Sequence, residues 1–189
     1  MKLFVFTLVT FLCLTACNSP EISPKALPDS KHGIIIKNSL PKGGSYPDSS
    51  GRVFGYRIFW TRVINDTTVP LELTINFPAD SIKMEPKSNL HLRLFLLPDT
   101  MTSANESEFN YGAKGLIPFL DTGLKKPTML RLTLKPKEEY LFYVGALIYP
   151  DGRARAGLLI DGQDLVYAIN ISPALDSSFI PCGRIIYKK

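Results

Sequence analysis

The chain has 189 residues, 45% of them hydrophobic, with 22 Lys and Arg against 17 Asp and Glu for a formal net charge of +5. Its cations are scattered, with only short pairs such as Lys125-Lys126 and Lys188-Lys189, which excludes the clustered basic stripe of a nucleic-acid surface. Two histidines and three cysteines are too few for a His/Cys transition-metal centre, and no cofactor is expected.

Met1-Lys2 makes a short basic start, and residues 3–14 are Leu, Phe, Val, Thr and Cys without a charge or a proline, the pattern of an export signal. A helix of about twelve such residues spans roughly 18 Å at 1.5 Å per residue, too short for a hydrocarbon core of roughly 30 Å. Leu14-Thr15-Ala16-Cys17 follows and resembles the lipobox of bacterial lipoproteins. That resemblance implies that residues 1–16 leave as a signal peptide and that Cys17 becomes an acylated N-terminus. One acyl chain anchors only marginally, at about 0.8 kcal/mol per buried methylene, so the several chains implied on Cys17 would hold the protein at the membrane permanently. Asn18 stands where lipoproteins kept in the inner membrane often carry Asp, which implies the outer membrane. Asn18 to Ser23 lacks the acidic run that resembles a surface-export signal, and both membrane faces stay open.

Loss of residues 1–16 removes one cation, Lys2, and lowers the net charge to +4. The remaining length suits one domain with a sizeable core, expected over 32–189. Once Cys13 leaves and Cys17 is acylated, Cys182 has no partner for an internal disulfide. Between Pro181 and Gly183, it reads as a small packed hydrophobe.

Pro20, Pro24 and Pro28 among Ser, Asp and Lys make 17–31 an extended tether, reaching up to roughly 40 Å from the lipid. Gly33 to Lys37 predicts a short strand, and Pro41 to Gly51, rich in Gly, Ser and Pro, a mobile loop. In Arg52 to Ile64, Phe54, Tyr56, Ile58 and Trp60 share one face; Leu71, Leu73, Ile75 and Phe77 alternate in the next run. This period of two marks half-buried strands, and Asn65-Asp66-Thr67-Thr68 between them predicts a β-hairpin.

Leu90, Leu92, Leu94 and Leu96 repeat the alternation. The polar stretch Thr100 to Lys114 predicts an excursion off the body or a ragged edge, and Gly115 to Leu120, interrupted by Pro118, an edge strand. Alternation resumes over Thr128 to Leu134. Glu139 to Tyr149 is apolar on both faces, as in a central strand, and turns at 150–153 and 161–164 predict a three-stranded meander with Ala154 to Ile160 and Leu165 to Ile171. Gly183 to Tyr187 predicts a last strand.

Many short strands between Pro, Gly and Asp turns predict an all-β chain folded as an antiparallel β-sandwich. The runs Arg62 to Leu73 and Leu134 to Tyr140 resemble immunoglobulin-like and fibronectin-type bacterial modules, although the chain has no Cys–Trp–Cys framework.

Catalytic chemistry has little to draw on. His32 falls in the tether and His91 on the polar side of its strand beside Arg93. Asp151 and the Asp161-to-Asp164 turn carry oxygens but lack EF-hand spacing, and Asp-Gly is a preferred hairpin dipeptide. For ligand binding, the aromatic residues Tyr46, Tyr56 and Trp60, with Phe54, are the candidates, since aromatic faces pack against sugars and peptides; a core-facing stripe is the alternative for all but Tyr46, which is expected to be exposed. The triplets at Thr67, Ser81 and Thr100 resemble the O-glycosylation motif of exported Bacteroidota proteins. Asn65, Asn105 and Asn170 begin Asn-x-Ser/Thr triplets, but the resemblance to a bacterial lipobox argues against eukaryotic-type glycosylation there.

These features point to a non-enzymatic binding or adaptor lipoprotein at the outer membrane, contacting a glycan, a peptide or an envelope protein. A secreted hydrolase with a carboxylate pair and a structural subunit of an envelope or fimbrial assembly, pairing through an edge strand, are the alternatives.

Overall fold

The computed structural model describes residues 33–84, 89–172 and 176–188. The expected signal peptide over 1–16, Cys17, the expected tether over 17–31 and His32 lie outside the described residues. Among those described, no helix is long and apolar enough to cross a membrane.

The chain is an all-β sandwich of two antiparallel sheets. In the first, β1 (Ile34–Asn38) and β2 (Lys42–Pro47) follow one another along the same edge of the long β3 (Val53–Asn65). The sheet continues through β8 (Glu139–Tyr149), β6 (His91–Leu96) and the short β5 (Ile82–Lys83). The second sheet runs β7 (Thr128–Leu134), β4 (Leu71–Phe77), β11 (Ser178–Tyr187), β10 (Asp164–Ser172) and β9 (Arg153–Asp161).

Alternation places Phe59 and Val63 of β3 in the inter-sheet core with Leu92 and Leu94 of β6, facing Leu73, Ile75 and Phe77 of β4 and Ile169 of β10. Phe59 and Phe77, from opposite sheets, both set their rings edge-on to Tyr167, at 6.4 and 5.7 Å. Burying each such side chain contributes about 1.5–3 kcal/mol. Cys182 sits in this core, 3% exposed, where β11 carries one extra residue between the pairs Leu165–Gly183 and Val166–Pro181. The bulge also accommodates Pro181, which has no N–H for a ladder.

Four sequence expectations need correction. The segment β3-to-β4 is no hairpin: the two strands belong to different sheets, and 66–70 arches between them. Asn65 makes the arch, its Nδ2 donating to Val69 O at 2.9 Å and Leu134 O at 3.0 Å while its Oδ1 accepts from the Thr67 N–H and hydroxyl. Likewise β8 and β9 lie in different sheets, and the meander is β9–β10–β11. Period two identifies a strand and its faces but does not select its neighbour.

The expected loop 41–51 contains β2. Gly43 is there for close approach, since a Cβ would lie 2.0 Å from Tyr56 O, and not for mobility. The expected edge strand 115–120 is a helix, α1 (Leu116–Thr122), which buries Leu116 and Leu120 one turn apart. Pro118 falls in its first turn, where N–H groups have no intrahelical acceptor, so proline loses nothing there.

Candidate functional site

Both faces of β3 are covered. Its even positions Tyr56, Ile58 and Trp60 point away from the inter-sheet core, into a second apolar cluster on the outer face of the first sheet. That face is roofed by residues 97–124, through Leu97, Met101, Tyr111, Leu116, Leu120 and Leu124.

Polar ties fasten the roof. Tyr143 Oη donates to Tyr111 O at 2.6 Å, Tyr111 Oη to Leu40 O at 2.5 Å, and Asn110 Nδ2 to Tyr56 Oη at 3.2 Å. Lys42 Nζ donates to the carbonyls of Glu106 and Glu108 and lies 4.1 Å from the centre of the Tyr111 ring. Asn110 and Tyr111 adopt φ of 47° and 57°, a left-handed conformation costing roughly 1–2 kcal/mol per residue. These hydrogen bonds hold it in place.

The roof stops short of one end of the sheet. Strand register there sets four rings abreast: His91 opposite Tyr149, Tyr149 beside Phe54, and Phe54 opposite Tyr46, across β6, β8, β3 and β2. At about 4.8 Å per strand the row is roughly 14 Å long. Phe54 and Tyr149 are 5.1 Å apart with planes tilted by 49°. Arg52 lies over Phe54, 5.4 Å from its centroid, and pairs with Asp48 at 2.7 Å.

Two adjoining cavities open along this row. One, of about 440 Å³, is lined by Arg52, Phe54, Ser81, His91, Arg93 and Tyr149; the other, of about 390 Å³, by Tyr46, Asp48, Phe54 and Asp121. Phe54, Leu124 and Leu147 border both. The groove therefore has a cationic end at β6 and an acidic end beside α1.

Its carboxylates are committed. Ser50 Oγ, the N–H groups of Ser50 and Arg52 and the Arg52 guanidinium all donate to Asp48, and these bonds, Ser50 foremost, hold it well below the usual carboxylate range. Asp121 accepts from Tyr46 Oη at 2.6 Å, a bond that pushes the Tyr46 hydroxyl up to about 12. Held ionised, Asp48 is an acceptor and counter-ion, and a poor source of the proton that a general acid must deliver.

The aromatic candidates thus divide. Tyr46, expected to be exposed, is 7% exposed in β2, with its ring forming one wall of the groove. Tyr56 is 7% exposed under the roof and Trp60 half-buried beside it, with Arg62 5.9 Å from its ring. Thr67 spends its hydroxyl inside the arch, whereas Ser81 and Thr100 are exposed and Ser81 borders the groove. Asp161 and Asp164 face one another across the β9–β10 turn, with Gly162 at φ 66°. Among the described residues, no three His, Cys, Asp or Glu side chains gather as a metal site. Arg52, Arg93 and Tyr149 carry no signal in the sequence that singles them out, and His91 reads there as a residue on the polar side of its strand. The alternation of His91 with Arg93 was visible, but their meeting with Tyr149 and Phe54 depends on strand order.

Comparison with known proteins finds no matching family model, curated protein or solved structure.

Proposed function

We propose that this chain is an exported binding module, held at a bacterial outer membrane through acylated Cys17, whose ligand is a saccharide seated in the groove over Tyr46, Phe54, Tyr149 and His91. The single observation behind the ligand is the row of half-buried rings Phe54, Tyr149 and His91 where the roof ends, with Tyr46, 7% exposed, closing one side. Aromatic faces of this kind pack against the apolar faces of sugar rings, while tyrosine and histidine add polar edges. Arg52 at one end and Asp121 at the other supply donors and acceptors for hydroxyls. The export signal and lipobox support the location.

Full chain in detergent micelles, probed against a glycan array, is expected to bind a restricted set of sugars, and Phe54→Ala and Tyr149→Ala to abolish that binding. Absence of any sugar binding, together with turnover of a glycosidic or ester substrate, would favour the carboxylate hydrolase, for which Asp48 and Asp121 are the acids facing the groove. Intact-mass spectrometry is expected to show a fatty-acylated chain beginning at Cys17; an unmodified chain beginning at Met1 overturns the anchor.

The structural-subunit reading draws on β9. Leu158 of β9 directs its N–H and C=O away from β10, toward Asn38, and the same alternation turns those of Ala154 and Ala156 outward. An edge of this kind accepts an added strand from a neighbouring chain. Sedimentation showing a monomer at high concentration would remove that reading.

A further inference from the structure

We infer that the saccharide is acidic, with a carboxylate or sulfate held at the β6 end of the groove by Arg93 and Arg52; this rests on the saccharide reading above. Arg52, His91 and Arg93 line one cavity together, and no acid borders it among the described residues. Its polar wall is completed by Ser81, and its floor by Phe54 and Tyr149. A sugar ring lying on that floor brings its substituents against the guanidinium groups.

Arg93 carries the argument furthest. Directly opposite Leu147 on the sheet, it is half-buried, and its Nε is enclosed with no hydrogen-bond partner. Buried polar atoms are nearly always paired, so the enclosed Nε leaves Arg93 a cation with incomplete hydrogen bonding, and Arg93 borders the cavity beside His91 and Ser81. Asp80 acts on Arg93 through space. Arg52 differs: it is bound to Asp48 with its side chain 61% exposed, and Asp48 sets its orientation over Phe54.

The two ends of the groove then assign a direction. Guanidinium groups bind carboxylates and sulfates through paired, charge-assisted N–H donors. At the other end Asp121 accepts from hydroxyls, while Asp48 stays paired with Arg52 at 2.7 Å and offsets part of its charge. An acidic oligosaccharide would lie across the strands with its anionic unit over β6 and a hydroxyl-bearing unit beside α1.

The test is calorimetric titration of the full chain in detergent micelles. The probes are an oligogalacturonate, its methyl-esterified counterpart with the same rings and no charge, and a sulfated heparin-derived oligosaccharide. One anionic probe is expected to bind roughly ten- to a hundredfold more tightly than the ester, the size of one or two charge-assisted hydrogen bonds, and to weaken as salt rises. Binding of the oligogalacturonate identifies a carboxylate site; binding of the heparin fragment alone, which carries both groups, points to sulfate. Arg93→Gln should erase the preference, and Arg52→Gln, at an exposed position, should reduce it; thermal melts check that both variants remain folded. If ester and acid bind equally, or if neither arginine variant changes the preference while Phe54→Ala still abolishes binding, the acidic ligand is wrong and the saccharide reading survives. If no probe binds and the array is blank, both fall.

Discussion

Asn38 and Leu158 exchange two hydrogen bonds across the open side of the sandwich: Asn38 Nδ2 donates to Leu158 O at 3.1 Å, and the Leu158 N–H donates to Asn38 Oδ1 at 3.0 Å. A side-chain amide thereby stands in for a strand, joining the last residue of β1 to the middle of β9 in the other sheet. The same Oδ1 accepts from the Thr61 hydroxyl at 2.9 Å, and Thr61 is fully buried.

Removing the amide takes away both partners of the Leu158 main-chain groups, in hydrogen bonds that are part-buried. Asn38→Ala is expected to cost about 1–3 kcal/mol, and at roughly 2–4 °C per kcal/mol for a chain of this size the loss is visible in a thermal melt. Gly157→Ala should do similar damage, because its Cβ would lie 2.8 Å from Asn38 Nδ2. Melts indistinguishable from the parent would mean that water substitutes for the amide.

Asn65 is fully buried and its amide binds two carbonyls and Thr67. Asn65→Ala should lose about 2–4 kcal/mol. Asn65→Asp should fare no better, since a carboxylate keeps the acceptor but supplies no donor for Val69 O and Leu134 O. Equilibrium denaturation in urea measures both, and an Asp variant as stable as the parent would show that the donors are dispensable.

Most of the strands were legible because one face of each is apolar, and alternation reports that directly. The pairing was not. Asn65-Asp66-Thr67-Thr68 has hairpin composition, yet its buried amide arches the chain from one sheet to the other. Gly43 and Gly44 signalled a loop while serving close approach to Tyr56. The roof escaped notice because Leu97, Met101, Leu116 and Leu120 follow no single period. The ring row was illegible for a related reason: Tyr46, Phe54, His91 and Tyr149 come from four strands, and only the order β2–β3–β8–β6 brings them abreast.

Gly145 of β8 lies under the Phe95 ring, and a Cβ there would come within 2.2 Å of it. Phe95 is 1% exposed and lies 5.5 Å from Phe119 of α1, so it has no space to retreat. Gly145→Ala should cost about 1–3 kcal/mol by overpacking and loosen the roof first. Limited proteolysis should cut within 97–124 sooner than in the parent; unchanged cleavage there would show that the ring can shift without lifting α1.

The Tyr167 hydroxyl is buried with no hydrogen-bond partner among the described residues, in a ring that is fully enclosed. Desolvating a hydroxyl without a bond costs about 1–3 kcal/mol in proteins. Tyr167→Phe keeps the edge contacts to Phe59 and Phe77 and removes that burden. It is expected to raise the melting temperature by a few degrees, and a lower melting temperature would reveal a partner for the hydroxyl.

Stability toward alkali should be limited by Cys182 and Tyr46. Burial pushes the Cys182 thiol from 9.0 up to about 12, and the hydrogen bond to Asp121 pushes Tyr46 from 10.0 up to about 12. In both cases the folded state keeps a proton that the unfolded chain releases, so the stabilisation is complete below pH 9 and is lost as pH rises from about 9 to 12. Denaturation at a series of pH values should show this decline, with a shallower slope for Cys182→Ala and for Tyr46→Phe. The same burial should make the thiol inert to Ellman's reagent at pH 8 until urea opens the core, since the thiolate is the nucleophile. Prompt labelling of native protein would place Cys182 outside the core and remove its share of the alkaline slope.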